Sequence, residues 1–335
     1  MDNQKIFQHK HFAHCESGVM SSMLSHHDLP LSEAMVFGLS GALMFAYIPF
    51  VKLGGMPLIA YRSRPKSIIK GLQKNLGIKM ELHTFSKPGK GMETLDRLLQ
   101  KGHIVGAQSS VFWLPYFPPE MRFHFNAHNL IIFGKEGNDY LISDPVFERS
   151  QRCDAKDLEK ARFVKGMMAP KGLLYHPVKL PEQIDYPTII PKVIRKNAKT
   201  MLKTPVPIAG IRGIRALAKG ITKLDKKDPR WAKLFLGHIV RMQEEIGTGG
   251  AGFRFIYASF LQEAGSILES QDLKNASQMM TAVGDQWREF ALLAVTAIRR
   301  KKGKQIDLST IQEKLNSVAD AEAEVYKTLL DMRLA

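Results

Sequence analysis

Residues 11–24 read HFAHCESGVMSSML and contain Cys15, one of two cysteines in a chain of 335 residues. A thiol acts as a nucleophile when its pKa is depressed and when a base, oriented by a third group, assists it. The residues after Cys15 predict a helix that begins here, and the positive end of a helix dipole favours a thiolate. An isolated cysteine is more often a buried packing residue, so a catalytic role requires partners elsewhere in the sequence.

A histidine and an aspartate that meet these requirements lie in the strand-like runs HNLIIFG (128–134) and DYLISDP (139–145). The sequence Lys-Glu-Gly-Asn between the two runs predicts a hairpin turn. In an antiparallel hairpin the start of one strand lies beside the end of the next, so His128 and Asp144 are expected to be neighbours. The pattern predicts Cys15 as nucleophile, with His128 as its base and Asp144 orienting the imidazole.

The elements around these residues predict an α+β domain. Helical spacing follows Cys15 and recurs at 66–76 and 91–102, whereas 78–85 and 103–110 resemble strands. After about residue 175 several prolines, including Pro187 and Pro191, predict a connection that is not helical. Helical periods then return at about 229–246, 253–269, 272–301 and 307–333. The predicted domains are 1–176 (α+β), 177–227 (a basic, proline-punctuated connector) and 228–335 (all-helical).

The stretch 34–51 carries no charged residue, which is near the lower length limit for a membrane-spanning helix. Its glycines and Pro49 favour instead a buried helix followed by a turn and a strand. Two distant cysteines do not form a disulfide framework, and the first twelve residues lack the apolar core of a secretion signal. These features predict a cytoplasmic protein.

Several local segments resemble the butirosin biosynthesis protein H family. The segments are HC at 14–15, SEAMVFGLSGAL at 32–43, LPY at 114–116, HFNAH at 124–128 and GTGGAGFRFIYASFLQEA at 247–264. The order cysteine, H-x-x-L-I-x-G and D-P is also similar to papain-like peptidases that process bacteriocin leaders. The resemblance implies a papain-like cysteine-enzyme domain followed by an all-helical domain. It also implies an acyltransferase that moves an acyl group from an acyl carrier protein thioester onto an amine.

The resemblance gives Cys15, His128 and Asp144 the same roles as the residue pattern does. Leader peptidases place a glutamine six residues before the cysteine to stabilise the oxyanion, and this chain has His9 there, beside Gln8. The expected oxyanion donors are therefore the Cys15 backbone N–H together with His9 or Gln8, since such donors typically contribute about 3 kcal/mol.

Further binding contacts are expected outside this triad. His124 and Asn126 precede His128 and either line the acceptor pocket or are simply exposed loop residues. Gly249, Gly250 and Arg254 either hold the phosphate of 4′-phosphopantetheine, which the carrier protein would bring, or form a tight turn between helices. No bound cofactor is expected. No metal is expected either, because the histidines near Cys15 lack the paired spacing of a structural zinc site.

The formal charge of +16 is concentrated between residues 192 and 227, which hold eleven Lys or Arg residues and one acid. IRGIRALAKGITKL (211–224) within this segment predicts an amphipathic helix with a basic side. An acidic acyl carrier protein is the expected partner. Peripheral membrane contact and self-association are left open. Nucleic acid is not expected, because no recognised nucleic-acid-binding motif accompanies the charge.

The predicted function is acyl transfer from an acyl carrier protein, through an acyl-Cys15 enzyme, to a small amine or hydroxyl acceptor in specialised-metabolite or lipid biosynthesis. One alternative is a cysteine peptidase or thioester hydrolase, in which a peptide is the substrate or water is the acceptor. The other is a non-catalytic basic module that binds an acidic carrier protein or a membrane surface, with Cys15 as a packing residue.

Overall fold

The computed structural model describes residues 6–299 and 308–333. The chain divides into two compact units, the first built from Met1–Val36 and Ile68–Ile184 and the second from Phe37–Ser67 and Asp185–Ala335. This division differs from the predicted one, because the second unit also takes in a hairpin from the N-terminal part of the sequence and the segment expected to be a connector. Each folded unit is therefore built from two separate segments of the sequence and not from one continuous half of the chain.

Helices and strands are interspersed along the chain as far as Lys179, and the regular elements described beyond it are helices. The helices are α1 (Cys15–His26), α2 (Glu33–Ser40), α3 (Ser67–Leu76), α4 (Pro88–Gln100), α5 (Ala155–Phe163), α6 (Tyr186–Lys203), α7 (Gly210–Thr222), α8 (Pro229–Glu244), α9 (Arg254–Ile267), α10 (Gln271–Arg299) and α11 (Leu308–Asp331). The strands are β1 (Leu43–Leu53), β2 (Met56–Arg62), β3 (Lys79–His83), β4 (Val105–Ser109), β5 (His128–Glu136), β6 (Asp139–Ser143), β7 (Gln151–Asp154) and β8 (Leu174–Lys179).

The first unit is built on a six-stranded antiparallel sheet with the order β3-β8-β4-β5-β6-β7. Alternate side chains of β4 and β5, among them Ala107 and Leu130, enter a buried core together with Leu95 of α4 and Leu158 of α5. The strands predicted around residues 78–85, 103–110, 128–134 and 139–145 are present, and the hairpin between the last two forms as expected. The predicted α+β fold class is confirmed.

Helix α1, which carries Cys15, is buried on all sides from Cys15 to Leu24. Its small residues allow other segments to approach closely. A Cβ added at Gly18 would lie 2.7 Å from the Cβ of Phe12 and 2.8 Å from that of Pro145. The first turn of α1 therefore packs directly against the segment that follows Asp144, and a larger residue at position 18 would separate them.

The second unit combines the antiparallel hairpin β1–β2 with helices α6 to α11. The uncharged stretch 34–51 forms α2, a turn at Gly41 with φ of +69° and the start of β1, as predicted. Among the residues that the structure describes, no helix is long and apolar enough to cross a membrane.

The expectation that the proline-rich connection is not helical is wrong for α6. Asp185 caps this helix by accepting the N–H of Thr188, and Pro187 lies in the first turn, where a missing N–H costs little. Pro191 lies deeper in the helix. The buried face repeats at helical spacing through Ile190, Ile194 and Met201, and its burial outweighs the hydrogen bond that a proline removes.

Candidate active site

Cys15 is the first residue of α1, and His14 is its N-cap. The Nδ1 atom of His14 accepts the N–H of Ser17 at 3.2 Å and lies 2.9 Å from the Ser17 hydroxyl. Glu33 of α2 holds this turn in place by accepting the N–H of His14 at 2.8 Å and the hydroxyl of Ser17 at 2.9 Å. The thiol thus starts a helix whose first turn is fixed by hydrogen bonds.

His128 and Asp144 lie side by side, as the hairpin predicts. Nε2 of His128 is 2.7 Å from Oδ2 of Asp144, and both side chains are buried. Tyr116 donates its hydroxyl to the same carboxylate oxygen at 2.9 Å, and the N–H of Val146 reaches Oδ1 at 3.3 Å. Phe117 packs edge-on against the His128 ring, with centroids 5.5 Å apart. The imidazole is therefore fixed by one strong hydrogen bond and by an aromatic wall.

The ionisation of the thiol and the imidazole is coupled. Burial opposes the charged form of Cys15, but the imidazoles of His14 and His128 outweigh it and lower the pKa of the thiol well below its usual value of 9.0. Burial likewise opposes a charged His128, but Asp144, assisted by Cys15, raises the pKa of the imidazole to about 10. A thiolate beside an imidazolium is the state that these directions favour at neutral pH, and it is the state from which a cysteine attacks a carbonyl carbon.

Sequence reasoning did not find several residues that complete this arrangement. Asn129 places its Nδ2 atom 4.0 Å from the Cys15 sulfur while donating to the carbonyl of Ala127 at 3.1 Å. The hydroxyl of Tyr175 donates to Oδ1 of Asn129 at 3.0 Å and so fixes the amide group. A polar residue at the start of the apolar run after His128 was the available signal for Asn129.

His14 directly precedes Cys15 and lies outside the helix, as its N-cap. Its imidazole is among the groups that lower the pKa of the Cys15 thiol. Because its Nδ1 atom accepts from Ser17, Nε2 carries the ring proton in the neutral form.

The expected oxyanion role of His9 requires correction. Its Nδ1 atom lies 2.7 Å from the hydroxyl of Ser143 and its Nε2 atom 2.9 Å from the carbonyl oxygen of Phe147. The N–H of the neutral ring donates to that carbonyl, so it is not available to an oxyanion. His9 instead ties the N-terminal segment to the residues on both sides of Asp144, as the Phe12 N–H also does by donating to the carbonyl of Pro145 at 2.7 Å. Gln8 is exposed on the same segment, and its role stays a prediction.

The two residues expected in the acceptor pocket have different surroundings. His124 is exposed and stacks on Phe112 with ring centroids 4.1 Å apart. Asn126 is buried and donates from Nδ2 to the carbonyl of Met167 at 3.0 Å, while its Oδ1 atom has no partner among the described residues. Asn126 therefore retains an unused acceptor, and its contact with a substrate stays a prediction.

The glycine-rich segment 247–252 does not have the features of a phosphate site. The N–H of Gly250 donates to the hydroxyl of Thr248 at 3.2 Å, and the N–H of Ala251 donates to the Glu244 carboxylate at 3.1 Å. That carboxylate would also repel an anion. A Cβ at Gly252 would lie 2.1 Å from the Tyr61 ring, so the glycine serves close packing. Gly249 is exposed in the same turn.

Arg254 is equally unsuited to a phosphate. It is completely buried, and its guanidinium donates to both carboxylate oxygens of Glu322, at 2.7 and 3.1 Å. Its remaining terminal nitrogen donates to the carbonyl of Gly252. The expected phosphopantetheine contact through Gly249, Gly250 and Arg254 is therefore replaced by the other alternative, a tight turn that an internal ion pair stabilises.

No three His, Cys, Asp or Glu side chains in the described part of the chain are arranged so that they could hold a metal ion.

The first unit has the arrangement of a papain-like cysteine enzyme, with a cysteine at the start of a buried helix and a His–Asp pair on an antiparallel sheet. Residues 14–145 match the family model of the butirosin biosynthesis protein H N-terminal domain, which confirms the predicted relationship. Residues 156–329 match the model described as domain of unknown function DUF4872. Because this second match covers more than half of the chain, the protein belongs to that family.

A solved structure described as a C39-like peptidase from Bacillus anthracis is also similar. It is 14% identical in sequence, the alignment covers 53% of this chain and 97% of the other, and the TM-score is 0.38. No curated protein matched the sequence. The family and the site geometry together fit a papain-like cysteine enzyme.

Proposed function

We propose that the protein is an acyltransferase that takes an acyl group from the thioester of an acyl carrier protein, holds it on Cys15 and transfers it to an amine or hydroxyl acceptor. The observation that supports this most strongly is the Cys15 thiol beside the buried His128–Asp144 pair, whose nitrogen and oxygen are 2.7 Å apart. The match to butirosin biosynthesis protein H supports the reaction class.

In the first half-reaction the Cys15 thiolate attacks the carbonyl carbon of the carrier thioester. The new carbon–sulfur bond forms as the bond to the sulfur of the carrier breaks. The departing thiolate takes the proton of the His128 imidazolium, which leaves a neutral imidazole beside the acyl-enzyme. Because one thioester replaces another, this exchange is close to isoenergetic.

In the second half-reaction the acceptor attacks the acyl carbon of acyl-Cys15. His128 takes the proton of the amine or hydroxyl, and the Cys15 thiolate leaves, which restores the starting ion pair. The Asp144 carboxylate stabilises the imidazolium each time it forms. Formation of an amide draws the sequence forward, since an amide is more stable than a thioester.

The oxyanion that forms in both steps needs hydrogen-bond donors. The N–H of Cys15 lies in the first turn of α1, where no preceding helical carbonyl accepts it. The amide of Asn129, 4.0 Å from the sulfur, is the neighbouring side-chain donor. We assign the oxyanion to these two groups, each of which typically contributes about 3 kcal/mol to transition-state stabilisation. No bound cofactor is required, because the carrier protein brings the acyl group on its 4′-phosphopantetheine arm.

The test is mass spectrometry of the protein after incubation with an acyl carrier protein thioester. We expect the mass of the acyl group on Cys15, and its transfer when a panel of amines and alcohols is added. Cys153→Ala is the matched control, since it removes the other buried thiol and should leave the adduct unchanged. Release of free acid as the only product, whatever acceptor is present, would rule out the transferase and indicate a hydrolase. An unmodified Cys15 in folded protein would rule out both.

A further inference from the structure

The exposed side of α6 carries a row of positive charges. One side of the helix carries five exposed cations, because each is three or four positions from another member of the set: Lys192, Arg195, Lys196, Lys199 and Lys203. They border an open groove of about 850 Å³, whose other lining residues are threonines and prolines. No acidic residue lines the groove. We call this row of five cations the α6 basic face.

The charges of this face are not neutralised within the described residues. None of its lysines lies within salt-bridge distance of a carboxylate there, and Arg195 donates only to the carbonyl of Met332 at 3.5 Å. On the neighbouring helix α7, by contrast, Arg215 pairs with Asp320. The α6 basic face therefore concentrates positive potential that an external anionic surface can neutralise.

Exposed apolar side chains lie close to the end of this face. Val206, in the segment that follows α6, is 45% exposed, and Phe50 and Val51 near the end of strand β1 are 75% and 37% exposed. An antiparallel bridge pairs Ala46 with Ala209, and the N–H of Tyr47 donates to the carbonyl of Ile208 at 2.9 Å. Val206 belongs to the same turn as Ala209, whose N–H donates to the carbonyl of Val206 at 3.2 Å, so β1 passes beside this turn, and Phe50 lies three residues beyond Tyr47. We call these three side chains the apolar tip.

We propose that the α6 basic face and the apolar tip dock on an anionic lipid bilayer. The lysines would lie among the lipid phosphates, and Phe50, Val51 and Val206 would enter the boundary between headgroups and acyl chains. A nucleic acid backbone would neutralise the lysines but would give protruding apolar side chains no apolar phase to enter, and an acidic protein would need an apolar pocket matched to them, whereas a bilayer accepts them without such a match. The combination of charge and protruding apolar residues therefore favours a lipid surface.

Sedimentation with vesicles tests the charge component. We expect the full-length protein to bind vesicles of phosphatidylcholine mixed with phosphatidylglycerol, to bind phosphatidylcholine alone weakly, and to dissociate as the salt concentration rises. A variant with Lys192, Lys196, Lys199 and Lys203 changed to glutamine should lose on the order of 10²-fold or more in partitioning, since each lysine near the surface contributes roughly fivefold.

A matched variant distinguishes a specific role of the α6 basic face from a general effect of lower net charge. Lys70, Lys74, Lys87 and Lys90 are exposed lysines of the first unit, and changing them to glutamine removes the same charge elsewhere. We expect that variant to bind vesicles within a few-fold of the parent protein. Equal losses in the two variants, with both keeping the parent melting temperature, would overturn the proposal.

Two further measurements test whether the apolar tip enters the bilayer. Phe50→Ser should weaken vesicle binding without changing the salt dependence. An environment-sensitive dye attached at Phe50→Cys, in a protein that also carries Cys15→Ala so that the dye cannot label Cys15, should shift to the blue when anionic vesicles are added. An unshifted dye on vesicle-bound protein would contradict insertion of the tip. A dimer that Phe50→Ser dissociates, or binding to an acidic protein but not to vesicles, would replace the lipid assignment with a protein interface.

Discussion

Each unit of the protein buries an ion pair, and the two pairs are built alike. His128–Asp144 in the first unit and Arg254–Glu322 in the second are almost completely inaccessible to solvent, with a closest nitrogen–oxygen distance of 2.7 Å in both. In each pair an aromatic side chain donates a further hydrogen bond to the carboxylate, Tyr116 at 2.9 Å and Trp287 at 2.6 Å. Burial and hydrogen bonding alone do not distinguish them.

The two pairs differ in their cation and in the group that the cation interacts with besides its carboxylate. Arg254 keeps its proton at any ordinary pH, and its guanidinium donates to Glu322 and to the carbonyl of Gly252, so the pair holds α9, α11 and a turn in a fixed arrangement, to which Trp287 adds α10. His128 can release and regain a proton, and its charge is coupled to that of the Cys15 thiol. A buried ion pair becomes a candidate for catalysis when its cation can transfer a proton to a neighbouring reactive group.

The largest expected effect is on turnover. Cys15→Ala should lower acyl transfer on the order of 10⁴-fold or more, because the covalent step has no other nucleophile. The melting temperature should change little in comparison, since the substitution removes a single sulfur atom. Steady-state acyl transfer and thermal unfolding measure the two effects. Cys153→Ala should keep its activity, and an active Cys15→Ala protein would remove the site from the reaction.

Removing the charge of each carboxylate should have different consequences: mainly a loss of stability at Glu322 and mainly a loss of activity at Asp144. Glu322→Gln should reduce the free energy of unfolding by about 3–5 kcal/mol, because Arg254 stays charged in a buried site. Asp144→Asn should destabilise the protein less, since His128 can become neutral, while activity falls on the order of 10⁴-fold. Urea unfolding and acyl-transfer rates measure these effects. If Asp144→Asn costs as much stability as Glu322→Gln, the two pairs are equivalent structural elements.

The contrast between the two ion pairs also explains which parts of the site could be predicted from the sequence. His128 and Asp144 are sixteen positions apart on a hairpin whose turn and alternation are visible locally, so their pairing follows from strand geometry. The helix start at Cys15 is likewise a local signal. The prediction therefore placed the candidate triad in one region of the first unit, where the structure brings it together.

Arg254 could not be interpreted in that way, because its partner Glu322 is 68 positions further along the chain. Without that partner, glycines followed by an arginine have the appearance of an anion site. The helix α6 was missed for a related reason, since the prolines are local signals whereas the helix packs against β1 and α11, which are distant in the sequence. Glu33 and Asn129 also act through contacts that tertiary structure alone brings together.

Cys15 and Cys153 should differ in their rate of alkylation by at least about tenfold. This ratio corresponds to about 1.4 kcal/mol, which is smaller than the effects predicted above. The pKa of Cys15 is lowered well below 9.0, whereas burial and the nearby Asp157, Asp154 and Asp139 raise the pKa of Cys153 to about 12. Iodoacetamide should therefore label Cys15 first at neutral pH, as peptide mass spectrometry will show. Faster labelling of Cys153 than of Cys15 in native protein would contradict this difference between the two thiols.

The rate of acyl transfer should decline as the pH rises through about 10, because His128 loses its proton there.

The smallest effect concerns a histidine that is buried without a strong ion pair. His176 on β8 lies against His103, with ring centroids 4.7 Å apart, and near His83, and its Nε2 atom is 3.5 Å from a Glu81 oxygen. Its Nδ1 atom is buried and has no hydrogen-bond partner among the described residues. Burial, His103 and His83 lower the pKa of His176, and Glu81 only partly opposes them.

Because its pKa is lowered in the folded state, His176 binds a proton more readily in the unfolded chain. Its contribution to stability is present above the ordinary histidine pKa of 6.5 and is lost as the pH falls below it, with a slope of at most about 1.4 kcal/mol per pH unit for one proton. His176→Phe should reduce this acid sensitivity in urea unfolding, whereas His124→Gln, at an exposed position, should leave it unchanged. If both variants keep the acid sensitivity of the parent protein, that sensitivity arises elsewhere, and the buried position of His176 does not make folding depend on pH as the stronger His128–Asp144 pair is expected to do.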